Sequence, residues 1–171
     1  MSSDQIRKEA LRLVKYHGTR NPFEIAKELG IHVLFDYDFE TLKGMYKVIQ
    51  RSRFIFINGN LDERDQRTIC AHELGHDRLH REYAKNEMFQ EFMLYNMQTR
   101  PEYEANIFAS ELLIDNDEIF SLIEDEYDIY QIARALDEDI NLVLIKVDEL
   151  RKQGHDVKAP YRPRSDFLGM T

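Results

Sequence analysis

Two histidines and a glutamate in the segment "TICAHELGHDRLH" (residues 68–80) have the types and spacing of a metal site. His72 and His76 are four residues apart in an HEXXH pattern, and Glu73 directly follows the first histidine. In a helix, four residues make about one turn, so both imidazoles point to the same side. Glu73 lies roughly 100° around the helix, where it would not compete as a ligand. The pattern predicts that the histidines bind Zn²⁺ and that Glu73 is the general base for a water on the metal.

The residues around these groups favour a metal over a chance match. They include apolar side chains that point in several directions of a helix, namely Ile69, Cys70, Ala71, Leu74 and Leu79. Such a helix is expected to be buried, and buried charges or polar rings are costly unless they are paired or coordinated. The alternative is that the histidines make only local hydrogen bonds. Cys70 lies on nearly the opposite face from His72, so we interpret it as a small hydrophobic residue.

A catalytic zinc also needs a third protein ligand and an open position for water. The helix predicted from Pro101 offers three glutamates. Relative to the centre of its apolar face, Glu102 lies roughly 50° away, Glu104 about 110° and Glu111 roughly 130°. Glu102 is therefore the predicted ligand, with Asn106 one turn later as a support for it or for a histidine. The alternative is an ordinary first-turn glutamate favoured by the helix dipole.

Composition and charge limit the class of protein. The 171 residues are 43% hydrophobic and 11% aromatic, which is typical of a globular chain with one core. Cys70 has no partner for an internal disulfide, the N-terminus lacks the apolar stretch of a signal peptide, and no run reaches the length of a membrane span. These features predict a cytoplasmic, reduced setting without a membrane partner. The net charge of −9 opposes non-specific nucleic-acid binding.

The remaining sequence predicts the elements that position the site. Ser3 or Asp4 is the predicted N-cap of a first helix, and a second helix, capped by Asn21, follows it. The short connection "QRSR" predicts an antiparallel hairpin between the second and third of three strands. Residues 81–100 are either a partly packed connection or a segment that lines the substrate site. The predicted strands cover residues 31–35, 43–49 and 53–58. They are followed by the HEXXH helix, the helix from Pro101 and two or three acidic helices up to Gly154.

Two motifs together resemble the ImmA/IrrE family of metallopeptidases. They are "ICAHELGHDRLH" and the later "PEYEANIFASELLI", and the similarity covers about residues 20–115. The resemblance implies a zincin-like α+β fold of the gluzincin type, with a small antiparallel sheet of about three strands packed by helices. The organisation that we expect is a metallopeptidase domain (1–115), an acidic helical subdomain (116–154) and a flexible tail (155–171). Ile114 and Asp115 stand where the family usually has a proline, which affects the end of the helix but not the ligands.

By this resemblance, His72, His76 and Glu102 match the metal ligands of the family and Glu73 matches its catalytic glutamate. The implied activity is that of a zinc-dependent endopeptidase. The overall length is closest to the family's anti-repressors, which cleave a helix-turn-helix repressor and derepress a mobile element or prophage. The implied partner is therefore a repressor protein, with no direct contact to nucleic acid. We expect a monomer, although no sequence feature determines the oligomeric state.

The mechanism also requires a donor that stabilises the oxyanion of the attacked carbonyl. Tyr95, Tyr103 and His80 are candidates, and the sequence does not choose among them. His80 lies about 80° around the helix from His72, so it is a poor third ligand and either supports the site or is exposed. Gly75 is expected where another backbone approaches the helix.

Two other functions are compatible with parts of the sequence. "IYQIARALDEDINLVLIKVDEL" has the pattern of a helix-turn-helix, but Asp115–Lys152 contains twelve acidic and four basic residues, a net charge of −8 that would repel phosphates. A packing or substrate-docking role is favoured for this region. The second alternative is a non-catalytic module that binds a repressor and keeps a structural metal. A structural site normally has a fourth protein ligand, and it would leave Glu73 without a role.

Overall fold

The computed structural model describes residues 1–81 and 99–157, and within these ranges the fold is α+β, as predicted. Seven helices and three strands make up this part of the chain. In order they are α1 (Ser3–His17), α2 (Pro22–Glu28), β1 (Ile31–Asp36), β2 (Gly44–Ile49), β3 (Ser52–Asn58), α3 (Glu63–Leu79), α4 (Arg100–Leu113), α5 (Asn116–Glu124), α6 (Ile129–Leu136) and α7 (Ile140–Lys152).

Local sequence signals set the ends of the first two helices. The side chain of Ser2, rather than that of Ser3 or Asp4, caps α1 and forms a capping box with Gln5. The side chain of Asn21 caps α2 as predicted, accepting a hydrogen bond from the backbone N–H of Phe23. These caps satisfy N–H groups that have no partner inside the helix.

The three strands form a mixed sheet in the order β1-β3-β2. The predicted hairpin of β2 and β3 is confirmed, with Tyr46 opposite Ile55 in an antiparallel pair. The sheet is mixed rather than antiparallel throughout, because β1 pairs in parallel with β3, placing Val33 beside Ile55. Successive strands do reverse direction, but β3 lies between the other two and therefore runs parallel to the first.

Helix α3 lies between the sheet and α4, in the centre of the described structure. It packs on β2, β3 and α2 on one side and on α4 on the other. Ile55 and Ile57 of the sheet are fully buried, as are Leu74 of α3 and Phe108 of α4. The central position explains why α3 is buried over nearly its whole circumference from Thr68 to Asp77.

The acidic region after residue 115 forms α5, α6 and α7, the last of which packs on α4. The buried Lys146 of α7 donates to Glu111 of α4 over 2.6 Å. The division into domains stays a prediction. The predicted roles of residues 82–98 and of the tail from residue 158 lie outside the described residues. No helix in the described ranges combines the length and the hydropathy that a membrane span requires.

Candidate metal centre

Helix α3 presents the HEXXH residues toward α4. Its first turn is stabilised by Asp62, whose side chain accepts from the backbone N–H of Asp65 at 2.8 Å. One turn separates His72 from His76, and their Nε2 atoms lie 3.1 Å apart. Both rings are buried, so their polar nitrogens need partners within the protein.

Glu102, in the first turn of α4, completes a cluster of three donors. Its Oε2 lies 3.1 Å from Nε2 of His72, and its Oε1 lies 3.2 Å from Nε2 of His76. The ligand atoms of the three residues are all within 4.8 Å of one another. Tetrahedral ligands at zinc–ligand distances of about 2.0–2.1 Å would lie about 3.3 Å apart. The donor types and their separations therefore fit a zinc ion.

A close approach of two helix backbones brings Glu102 to the histidines. A Cβ at Gly75 of α3 would lie 3.2 Å from the Cα of Ala105 and 3.2 Å from the ring of Phe108, both on α4. The expected approach of another backbone at Gly75 is thus observed. Because Ala105 follows Glu102 by one helical turn, this contact sets the distance between the ligands of the two helices.

Asn106 holds the ring of His72 from the side opposite the cluster. Its Oδ1 lies 2.8 Å from Nδ1 of His72. An amide oxygen can only accept, so Nδ1 carries a proton, which leaves the lone pair of Nε2 for a metal when one is bound. The expected supporting position of Asn106 is therefore observed, and it selects the tautomer that a metal requires.

The charges within the cluster shift the protonation of its members. Burial opposes ionisation of Glu102, but the two histidines outweigh it and lower the pKa of this carboxyl well below its usual range. Burial likewise opposes the charged form of His72, yet Glu102 outweighs it and raises the pKa of that imidazole. The centre thus holds a carboxylate ready to balance a cation.

Glu73 is buried beside the cluster and close to the edge strand β2. Burial is the main cause that raises the pKa of this carboxyl, while His72 and a hydrogen bond from the backbone N–H of Tyr46 oppose the shift. Gly44 of β2 is also close, because a Cβ there would be 3.3 Å from Oε1 of Glu73. A buried carboxyl with a raised pKa next to a metal centre has the properties of a general base.

Two of the three candidates for the oxyanion donor, His80 and Tyr103, make other contacts in the structure. Both ring nitrogens of His80 have partners behind His76. The hydroxyl of Tyr103 lies 2.9 Å from Nζ of Lys152 and 3.4 Å from the carboxylate of Glu149. Tyr95 lies outside the described residues.

Glu104 and Glu111 lie farther than Glu102 from the centre of the predicted apolar face of α4. Both are buried, because α4 packs against α1 and α7 as well as α3. The contact of Glu104 with His80 was not predicted, since a side chain two positions after a ligand points to another side of the helix. Cys70 is fully buried as expected, and burial raises the pKa of its thiol.

Comparison with known proteins agrees with this geometry. Residues 26–143 match the family model Peptidase_M78, described as the IrrE N-terminal-like domain. The chain is 38% identical over 103 residues to "Uncharacterized immunity region protein 2" of Bacillus phage phi105, covering 60% of this chain and 64% of that relative. It is 28% identical over 117 residues to "Metallopeptidase ImmA" of Bacillus subtilis (strain 168), covering 66% and 65% respectively. The aligned part therefore spans slightly less than two thirds of either relative.

Proposed function

Because the chain belongs to the Peptidase_M78 family of IrrE N-terminal-like domains, we propose that it is a zinc-dependent endopeptidase. The observation that carries the proposal is the convergence of His72, His76 and Glu102, with Glu73 beside them on α3. The ligands are two imidazoles and one carboxylate, a set that catalytic zinc sites use. The name of the relative from Bacillus subtilis supports the same activity.

The residues divide into those that hold the metal and one that moves protons. His72, His76 and Glu102 would bind Zn²⁺, which when bound supplies a Lewis acid for the scissile carbonyl and for the attacking water. Glu73 accepts a proton from that water at its carboxylate and passes it to the leaving amine.

The substrate in this proposal is a helix-turn-helix repressor, whose cleavage would derepress genes of a mobile element or prophage. The support is that one relative is named an immunity region protein of a phage and another is named a metallopeptidase. The charge of the C-terminal helices is also compatible, because a net of −8 between residues 115 and 152 attracts a basic DNA-binding surface. The reaction would take place in the cytoplasm, where such repressors bind DNA.

Glu73→Gln tests the chemistry separately from the metal. We expect the variant to bind zinc like the wild type but to cleave a repressor from the same genetic element at least a hundredfold more slowly, since a general base is lost. His76→Ala should lose both zinc and cleavage. The exposed Glu118 provides a control, and Glu118→Gln should retain both.

Zinc content is measured on purified protein, and cleavage by mass spectrometry of the repressor fragments. Cleavage by zinc-loaded Glu73→Gln at the wild-type rate would show that the hydrolytic assignment is wrong. Zinc binding without cleavage in the wild type would instead favour the non-catalytic module. A wild type that binds no divalent metal would contradict the metal centre itself.

A further inference from the structure

A row of hydrogen bonds extends from His76 away from the metal centre. The Nδ1 atoms of His76 and His80 lie 3.2 Å apart, and Nε2 of His80 lies 3.1 Å from Oε2 of Glu104. His80 and Glu104 are only 5% and 6% exposed, so these contacts are largely shielded from water. Neither residue belongs to the proposed ligand set or to its proton transfer.

The protons of this row have one arrangement that also allows metal binding. Nε2 of His76 faces Nε2 of His72 and the carboxylate of Glu102, so it must keep a lone pair for a metal. The proton of His76 is then on Nδ1 and is donated to Nδ1 of His80. A neutral imidazole has one donor and one acceptor, so Nε2 of His80 carries its proton and donates to Glu104.

We propose that His80 and Glu104 act as positioning residues that hold His76 in the tautomer and orientation required for metal binding. The inference rests on the metal centre of the proposed function. His72 receives the corresponding support in one step from the neutral amide of Asn106. The support of His76 ends in a carboxylate, which increases the basicity of the ligand through the intervening ring.

The contacts of Glu104 keep one of its oxygens available for His80. Its Oε1 accepts from Nε of Arg100 at 2.9 Å and from the terminal ammonium of Met1 at 2.5 Å. Oε2 is left to receive the proton of His80. The N-terminal part of α4 therefore supplies a ligand through Glu102 and the anchor of a second ligand through Glu104. Glu104 contacts His80, which caps the C-terminus of α3 one turn after His76.

Substitutions of His80 separate hydrogen bonding from packing. His80→Phe keeps an aromatic ring but removes both nitrogens, and we expect its affinity for Zn²⁺ to fall about tenfold or more. His80→Gln keeps one acceptor and one donor, and we expect it to retain an affinity within about threefold of the wild type. Glu104→Leu removes the anchor and should weaken binding in the same direction as His80→Phe.

The measurements are the Zn²⁺ dissociation constant, obtained by competition with a chromophoric chelator, and the visible spectrum of the Co²⁺-loaded protein. In His80→Phe the ring of His76 loses its hydrogen bond and can reorient, so the Co²⁺ bands should change. In His80→Gln the bands should stay as in the wild type. Glu111→Gln serves as the control, because it breaks a buried ion pair on the same helix without touching the row. It should lower stability and leave the Zn²⁺ affinity unchanged.

The outcomes distinguish this inference from the function on which it rests. A wild type without Zn²⁺ binding contradicts the metal centre and the inference with it. The inference alone is overturned if the wild type binds Zn²⁺ and the dissociation constants of His80→Phe and Glu104→Leu are within twofold of the wild-type value. In that case their Co²⁺ spectra would also be identical to that of the wild type. If His80→Phe does not fold, the comparison of folded Glu104→Leu with Glu111→Gln decides the question alone.

Discussion

Gly44, the first residue of β2, lies so close to Ile69 of α3 that a Cβ at position 44 would be 2.2 Å from Cγ2 of Ile69. Ile69 is buried, and Cγ2 is attached to its Cβ, so this atom cannot swing into solvent as the end of a long side chain would. The same Cβ would also approach Glu73. The absence of a side chain at Gly44 therefore allows the edge strand to lie directly beside the proposed general base.

Gly44→Ala should lower the free energy of unfolding by about 1–3 kcal/mol, because the added methyl group overpacks the contact between β2 and α3. Urea denaturation measures the change. Gly59→Ala is a matched control: its Cβ would meet the ring of Tyr37 at 2.5 Å, but this ring is 69% exposed and can rotate away. We expect a change within about 0.5 kcal/mol there. Equal costs at the two positions would contradict the steric explanation.

Zinc should stabilise the wild type against heat, since a ligand that binds only the folded state adds to the free energy of unfolding. At a free concentration of one hundred times its dissociation constant, the gain is about 2.7 kcal/mol. Glu102→Gln should gain less at the same zinc concentration, because an amide replaces the carboxylate ligand. Thermal unfolding of chelator-treated protein, with and without added zinc, measures the difference. An equal gain in both proteins would exclude Glu102 as a ligand.

The stability of the fold should depend on pH through Glu138. Burial raises the pKa of this carboxyl from 4.5 to about 7, although Arg67 partly offsets the shift. Oε1 contacts Arg67 at 3.0 Å, while the buried Oε2 has no hydrogen-bond partner within the described residues. The folded state therefore prefers the protonated form. The contribution of Glu138 is fully present below pH 4.5 and is lost as the pH rises through about 7.

Glu138→Gln should remove this dependence. The free energy of unfolding of the wild type should fall relative to that of the variant as the pH rises from 4.5 to 7. By pH 8 this relative fall should reach up to about 3 kcal/mol. Urea denaturation of both proteins at several pH values measures this difference. A constant difference across the whole range would show that Glu138 titrates normally. Glu118→Gln, at an exposed position, controls for a general effect of removing a charge.

The buried pair of Lys146 and Glu111 should show strong coupling. Lys146→Met leaves the carboxylate buried without its partner, which costs about 3–5 kcal/mol. The double variant Lys146→Met/Glu111→Leu removes both charges and should recover most of that loss. A double-mutant cycle by urea denaturation measures the coupling. If the double variant were no more stable than Lys146→Met, the burial of an unpaired charge would not be the cause.

The comparison of sequence and structure is clearest along α4. A single buried face suggested Glu102 as the ligand, and the structure brings Glu102 to the histidines. Glu104 and Glu111 lie far from the centre of that face and are buried as well. Helix α4 packs on α1, α3 and α7, and in such a position the apolar pattern no longer separates buried from exposed residues.

The sequence by itself determined the chemistry that is local to one helix. The spacing of His72 and His76 sets the direction of both rings, because helix geometry is fixed over one turn. The tertiary structure decided what converges on those rings: Glu102 from thirty residues away and the row through His80. The physical reason is that the distance between two helices depends on which side chains are absent at their contact. Here, the contact of Gly75 with Ala105 sets that distance.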